Sequence, residues 1–215
     1  MIILVIATRN KGKTKEISSL LENFPVAIKN LDDFGPIPDV VEDGLTFEEN
    51  AYKKASFTAR ILGYPALADD SGLCVDALGG APGVLSARYG GPGLSDREKA
   101  ERLLMEMEGK IDRAARFECA ISISMPEGNA LTYEASCKGE ITTELIGDNG
   151  FGYDPVFYYP PFEKTFAQLT MEEKNKVSHR GKALSEVRDE FDKIIKWIGR
   201  HSPLSDPSIC MAQKK

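Results

Sequence analysis

The stretch "MIILVIATRNKGKTKEISSLLENF", residues 1–24, decides how the chain begins to fold. "MIILVIA" is short, continuous in apolar residues and rich in β-branched side chains, which is the pattern of a buried strand. Ile17, Leu20, Leu21 and Phe24 then fall at i, i+3, i+4 and i+7, one face of an amphipathic helix that ends before Pro25. Between them lies "TRNKGK", a polar loop whose amides should point outward at the positive end of the helix. Read from Ala7 to Thr14, the loop misses the P-loop pattern G-x-x-x-x-G-K-[ST] by one residue, with Ala7 in place of the first glycine. It reads either as a phosphate cradle using the Thr8 and Asn10 side chains, the loop amides and Lys13, or as an ordinary turn with solvated lysines. The segment alone leaves both open.

Further along, Thr46 and Glu49 stand in capping-box spacing and start a second helix that runs to Gly63, with Asn50 and Lys54 sharing a polar edge. "YPALADDSG" reads as a short buried strand whose polar end is Asp69, Asp70 and Ser71. The segment from Gly79 to Gly93 is too rich in Gly and Pro for regular structure and is expected to be a shaped loop. Ser95 and Glu98 cap a third helix. Strict alternation through Phe117, Cys119, Ile121, Ile123 and Met125 marks a half-buried strand, turned back by "PEGN" into Ala130 to Cys137. That hairpin calls for an antiparallel part of the sheet. Ala183, Leu184, Val187, Phe191, Ile194, Ile195 and Ile198 define one strongly amphipathic last helix. The reading is one α/β domain over residues 1–199, with no internal repeat, and a flexible tail over 200–215.

Composition narrows the function classes. A chain of 215 residues with 42% apolar content supports one substantial core. A net charge of -6 argues against nucleic acid as a partner, since that binding needs a basic face, whereas a small phosphorylated ligand needs only a local basic pocket. Cys74, Cys119, Cys137 and Cys210 show no C-x-x-C spacing and suggest buried thiols in a reducing cytoplasm. The apolar start is too short for a membrane span and has no positive leader region, so no membrane association is expected.

Four polar clusters carry candidate chemistry. The first is the loop Thr8 to Lys13. The second is acidic, Glu42 and Asp43 with Asp69 and Asp70, and suits Mg²⁺, which takes one or two carboxylates plus substrate oxygens and water; taken in isolation, "DDSG" reads more readily as a turn cap. The third, "NGFGYDPVF", sets Phe151 between Gly150 and Gly152, an aromatic ring suited to stacking on a planar base. Asp154 there is placed to accept from a base N–H or to cap a turn. The fourth, "EEKNKVSHRGKAL", offers Lys174 and the donors of Ser178, His179 and Arg180 just before the last helix.

Together, "TRNKGK", "LTFEENAYKKA", "ADDSGLCVDALGGAPGVLSARYGG", "FGYDPVF" and "EEKNKVSHRGKAL" resemble the Ham1-like nucleoside triphosphate pyrophosphatases, which hydrolyse inosine and xanthosine triphosphates; the motifs occur in the family's order and cover about residues 1 to 198. The resemblance makes the P-loop match accidental. It implies an elongated mixed β-sheet with flanking helices forming two lobes around a cleft, a homodimer, a requirement for Mg²⁺, and release of pyrophosphate from a deaminated purine nucleoside triphosphate. Carried over by position, it makes Asp70 the catalytic base or metal-linked activator of water and Glu42 a second metal ligand. Thr8, Arg9, Asn10, Lys11, Gly12 and Lys13 become substrate contacts, with Lys13 and Lys54 neutralising the triphosphate and Ser71 against the substrate. Phe151 would stack on the base beside Gly152 and Tyr153, while Asp154, Lys174, His179 and Arg180 would read its edge. Arg9 stands where many members have Gly or Ser, and "GDNGFGYD" replaces the usual "GTGGFGYD". The competing readings are a P-loop ATPase that releases orthophosphate, and a nucleotide-sensing module that binds without turnover.

Overall fold

The computed structural model describes residues 2–201. Seven strands, β1 (Ile2–Ile6), β2 (Val26–Asn30), β3 (Ala66–Val75), β4 (Ala114–Ser124), β5 (Ala130–Ile141), β6 (Phe157–Tyr159) and β7 (Lys164–Thr165), form one sheet in the order β2-β1-β3-β4-β5-β6-β7. β1 runs parallel to β2 and β3, and the remaining pairs are antiparallel, so the sheet is mixed. Six helices flank it: α1 (Lys11–Leu21), α2 (Phe47–Leu62), α3 (Asp96–Glu106), α4 (Met171–Val177), α5 (His179–Asp189) and α6 (Phe191–His201).

Local chemistry accounts for the helix starts. The Asn10 side chain accepts from the amides of Gly12 and Lys13 and caps α1; Thr46 caps α2, and Ser95 with Glu98 forms a complete capping box on α3. Thr170 with Glu173 does the same for α4.

Apolar side chains gather at the two ends of the long strands. One cluster joins Leu4, Ile6, Ile17 and Leu21 to Leu67, Ile121, Ile123, Leu184, Phe191 and Ile198. The other joins Leu73, Val75, Phe117, Val156, Phe157 and Phe166 to Leu103 and Met107 of α3. These two large cores on one sheet support the two-lobed reading; smaller clusters join α2 to β3 through Ala51 with Cys74, Ala55 with Ala68 and Ala59 with Ala66. On β3 the residues between Leu67 and Leu73 on the same face are Asp69 and Ser71, so the polar pair falls in the gap between the cores.

Four sequence expectations are corrected. The strand containing Asp69 and Asp70 does not end there but runs on through Val75, because Gly72, Leu73, Cys74 and Val75 continue the ladder with β4. The Gly- and Pro-rich segment contains a 3-10 turn at Gly83–Arg88, entered through a cis Ala81–Pro82 bond. The single last helix is two, α5 and α6, with Glu190 (φ -101°, ψ 2°) between them; both pack on the same cluster, so the apolar spacing runs straight through the break. Arg200 and His201 belong to α6 and not to a tail, and residues 202–215 of the expected tail lie outside the described residues.

Candidate active site

β1 pairs with β3 only through Val5–Ala66 and Ile6–Leu67, after which the chain leaves the sheet as the loop Thr8–Asn10. The Ala7 amide still donates to Leu67 O at 2.7 Å. Farther along, that edge of β3 is closed again by Leu73 N donating to Ser86 Oγ and Val75 N donating to Ala81 O. Between these closures the strand edge at Asp69 to Ser71 faces a cleft of about 500 Å³, in the range of small-ligand sites. Because β1 is short and β3 long, side chains from both faces of β3 reach the same space.

The period of two sends Asp69 and Asp70 to opposite faces. Asp69 meets Lys13 Nζ at 2.8 Å and Arg180 Nε at 3.2 Å, both carboxylate contacts being made by Oδ2. Asp70 Oδ1 meets Lys54 Nζ at 2.7 Å, and the same ammonium lies 3.4 Å from Glu42 Oε2. Burial pushes the Asp69 carboxyl up, but Lys13, Arg180 and Lys54 outweigh it and hold the group well below the usual carboxylate range. Burial dominates at Asp70 and leaves its carboxyl raised despite Lys54. The two adjacent acids are thus tuned apart, one a fixed anion and the other a stronger proton acceptor.

Arg180 is nearly buried and spreads its guanidinium over Asp69, Ser71 Oγ (2.9 Å, from Nη2) and Glu16 (3.4 Å, from Nη1). Its side chain packs in the first turn of α5, beside His179 and not ahead of the helix as the sequence reading has it. His179 is buried with its ring stacked on Phe117, centroids 4.7 Å apart, and Nδ1 has no hydrogen-bond partner among the described residues. Burial first, then Arg180 and Lys174, press its pKa well below 6.5, so the imidazole is neutral and has one N–H to donate.

In the same cleft, Gly150 (φ 78°) and Gly152 (φ 62°) give the backbone a left-handed course on both sides of Phe151, a residue that stays 42% exposed. Asp154 Oδ2 accepts from the Phe151 amide at 2.9 Å and from Lys174 Nζ, which in turn lies 4.7 Å from the Phe151 ring centroid. Tyr153 OH donates to Ser86 O, and the Gly152 amide donates to Asp96.

Of the residues singled out from sequence, Thr8, Arg9, Asn10, Lys13, Glu42, Lys54, Asp70, Ser71, Phe151, Gly152, Tyr153, Asp154, Lys174, His179 and Arg180 line this one cleft. Gly12 does not, its amide being held by Asn10 Oδ1 inside the turn. Thr8 Oγ1 and Asn10 Oδ1 both accept from amides of the loop, so these oxygens shape it. Arg9 turns toward the rim, 3.8 Å from Asp32, 3.7 Å from Asp39 and donating to Ile37 O. Lys11 opens α1. Sequence reasoning set Asp69 among the acids suited to Mg²⁺ or as a turn cap, not as the counter-charge of Lys13 and Arg180, and gave no role to Glu16 or Ser86. Reading the strand on through "LCV" would have set Asp69 and Ser71 together, opposite Asp70; nothing in the sequence pairs Glu16 with Arg180.

The carboxylates of Glu42 and Asp70 already converge on one cation, the Lys54 ammonium, which is the donor set a hard divalent ion needs. Among the described residues no group of three or more His, Cys, Asp or Glu is placed to hold a metal, so an ion here would take its remaining ligands from phosphate oxygens and water.

The Ham1 family model matches residues 4–190. The dITP/XTP pyrophosphatase of Syntrophobacter fumaroxidans is 62% identical over 207 residues, spanning 96% of this chain and 88% of that protein. The dITP/XTP pyrophosphatase of Desulfotalea psychrophila is 58% identical over 196 residues, 91% and 88% of the two chains. Among solved structures, a HAM1 protein from Coxiella burnetii superposes with a TM-score of 0.86 at 41% identity, covering 90% of this chain and 100% of that one. By the extent of these matches, the chain belongs to the Ham1 family.

Proposed function

We propose that this protein hydrolyses deaminated purine nucleoside triphosphates, ITP, dITP and XTP, to the monophosphate and pyrophosphate, with Mg²⁺ as the cofactor. The names of the family relatives support the substrate class. The observation that carries it is the convergence of Lys13, Lys54, Glu42 and Asp70 in one cleft that is also lined by the partly exposed Phe151.

In this reading the triphosphate lies along Lys13 and Lys54, and the purine lies on Phe151. Water attacks the α-phosphorus, the new P–O bond forms as the bond to the bridging oxygen breaks, and pyrophosphate leaves. Asp70 aligns that water and takes its proton; burial raises its carboxyl pKa and makes it a stronger base than an ordinary aspartate. Glu42 and Asp70 would hold Mg²⁺, which would supply neutralisation of charge on the phosphate oxygens. Lys13 and Lys54 add preorganised positive charge toward the leaving group.

Base choice follows from donors. Hypoxanthine and xanthine carry a carbonyl at C6, toward which neutral His179, Lys174 and the N–H groups of Arg180 not used on Asp69, Ser71 and Glu16 can donate. Adenine offers an amino group there, which would leave buried donors unpaired, a mismatch worth about 10⁴ in rate in well-built polar sites. A side-by-side assay of ITP, XTP, GTP and ATP, with pyrophosphate and orthophosphate both quantified, tests this: pyrophosphate from ITP and XTP supports it, and equal rates on all four or orthophosphate as product overturns it.

No helix among the described residues is long and apolar enough to cross a membrane. A cytoplasmic homodimer that uses neither nucleic acid nor membrane is the assembly and setting we propose with this activity, and light scattering of the purified protein tests the dimer.

A further inference from the structure

Glu42 stands on a segment without helix or strand, between the 3-10 turn at Leu31–Phe34 and α2. A carboxylate on such a segment keeps its place only if the backbone beneath it is tied down. Three side chains do this. Asn50 Oδ1 accepts from Gly44 N at 2.8 Å and Glu49 Oε2 accepts from Leu45 N at 2.7 Å, both securing the entry to α2. Arg88 alone of the three reaches Glu42 itself, Nη2 donating to Glu42 O at 2.8 Å across 46 residues of chain.

Arg88 closes the 3-10 turn Gly83–Arg88, and that turn is anchored to the sheet. Ser86 Oγ accepts from Leu73 N at 2.9 Å and donates to Gly83 O at 2.6 Å, while Ser86 O accepts from Tyr153 OH at 2.9 Å. One turn therefore grips β3, the aromatic loop and, through Arg88, the backbone of Glu42. The geometry points to Arg88 as a positioning residue for the reaction: it holds Glu42 so that its carboxylate and that of Asp70 face one cation. This rests on the reading of Glu42 as a ligand of the divalent ion.

The guanidinium acts through a backbone carbonyl and touches neither substrate nor ion. Loss of such a support typically weakens metal affinity or activity about 10- to 100-fold. Because Arg88 is exposed, its removal should leave the fold intact. The test sets Arg88→Ala, Arg88→Lys, Glu42→Gln and Arg88→Ala/Glu42→Gln beside wild type, measuring pyrophosphate release from XTP against Mg²⁺ concentration, Mn²⁺ binding by electron paramagnetic resonance with a non-hydrolysable ITP analogue, and melting. Expected are a Mg²⁺ activation constant raised about 10-fold in Arg88→Ala, equally weakened Mn²⁺ binding, an unchanged melting temperature, recovery in Arg88→Lys, and no added loss in the double variant. An unchanged Mg²⁺ dependence in Arg88→Ala, losses that add in the double variant, or a large fall in melting temperature overturns the role of Arg88 while Glu42 stands as a ligand. If Glu42→Gln itself leaves Mg²⁺ dependence unchanged, the ligand reading falls and this inference with it.

Discussion

Asp69 and Asp70 are neighbours in the chain and serve opposite faces of β3: the first is locked between Lys13 and Arg180, the second meets Lys54 beside Glu42. A strand that outlasts its neighbour β1 makes this possible, since its open edge lets both faces drain into one cleft. The division gives the pair different duties. Asp69 organises cations, and Asp70 keeps a raised carboxyl that can accept a proton.

Asp70→Asn keeps the shape of the side chain and removes its basicity. Turnover of XTP should fall about 10²- to 10⁴-fold with little change in melting temperature. Pyrophosphate release and a thermal melt on the same preparation check this, and a rate near wild type removes Asp70 from the chemistry.

Asp69→Asn should act in the opposite way, through stability. It strips the main counter-charge from the buried Arg180 and leaves only Glu16 at 3.4 Å. Breaking such a pair from one side costs about 3–5 kcal/mol, or roughly 6–20 °C in a domain of this size. Since the Asp69 carboxyl is held far below its unfolded value, its stabilisation is complete at neutral pH and is lost only as pH falls below about 4. A melting temperature unaltered in Asp69→Asn contradicts this account.

How much of this was legible beforehand depends on which signals are local. Caps located α2 and α3, because Thr46 and Ser95 act on amides three residues away, and periodicity located α1 and the β4–β5 hairpin; the cap that Asn10 places on α1 reads in the sequence as a phosphate contact instead. The family motifs gathered the cleft residues, both those on loops and element ends and those inside elements, Asp69 and Asp70 within β3 and Lys54 within α2. What stayed hidden was long-range or smoothed over by packing. Arg180 finds Glu16 across 164 residues, and the break at Glu190 interrupts a helix without interrupting its apolar stripe. The edge-reading roles implied for Arg180 and Asp154 also look different once their protein partners are seen: Asp154 Oδ2 is already spent on Phe151 N and Lys174, and each guanidinium nitrogen of Arg180 already donates once.

His179 gives the protein a proton-linked weakness. Its folded pKa lies well below the unfolded value near 6.5, so below that pH the unfolded chain takes up a proton that the folded one refuses. Stability should drop as pH falls from about 6.5, by up to about 1.4 kcal/mol per pH unit for one proton. Urea midpoints at pH 7.5 and 5.5 should separate further in wild type than in His179→Gln; equal separations show that His179 is not the group responsible.

Phe151→Ala tests the stacking shelf. The ring is 42% exposed and contributes little to either core, so melting should change little. Loss of a base–aromatic stack costs about 1–3 kcal/mol, which is roughly a 5- to 150-fold rise in KM for XTP. A KM that does not move puts the purine elsewhere in the cleft.

Gly181→Ala probes the junction that presents His179 and Arg180. A Cβ at Gly181 would lie 1.8 Å from Asn175 O, a backbone atom of α4 that has no side-chain torsion with which to move aside. To admit one methyl, the start of α5 must retreat from α4, straining the bond from Gly181 N to Ser178 Oγ and shifting Arg180 off Asp69. Overpacking of this kind costs about 1–3 kcal/mol or more, and because the displaced turn carries two cleft residues, KM for XTP should rise together with the loss in melting temperature. A Gly181→Ala protein that melts and binds like wild type would mean that α4 and α5 are farther apart than this packing requires.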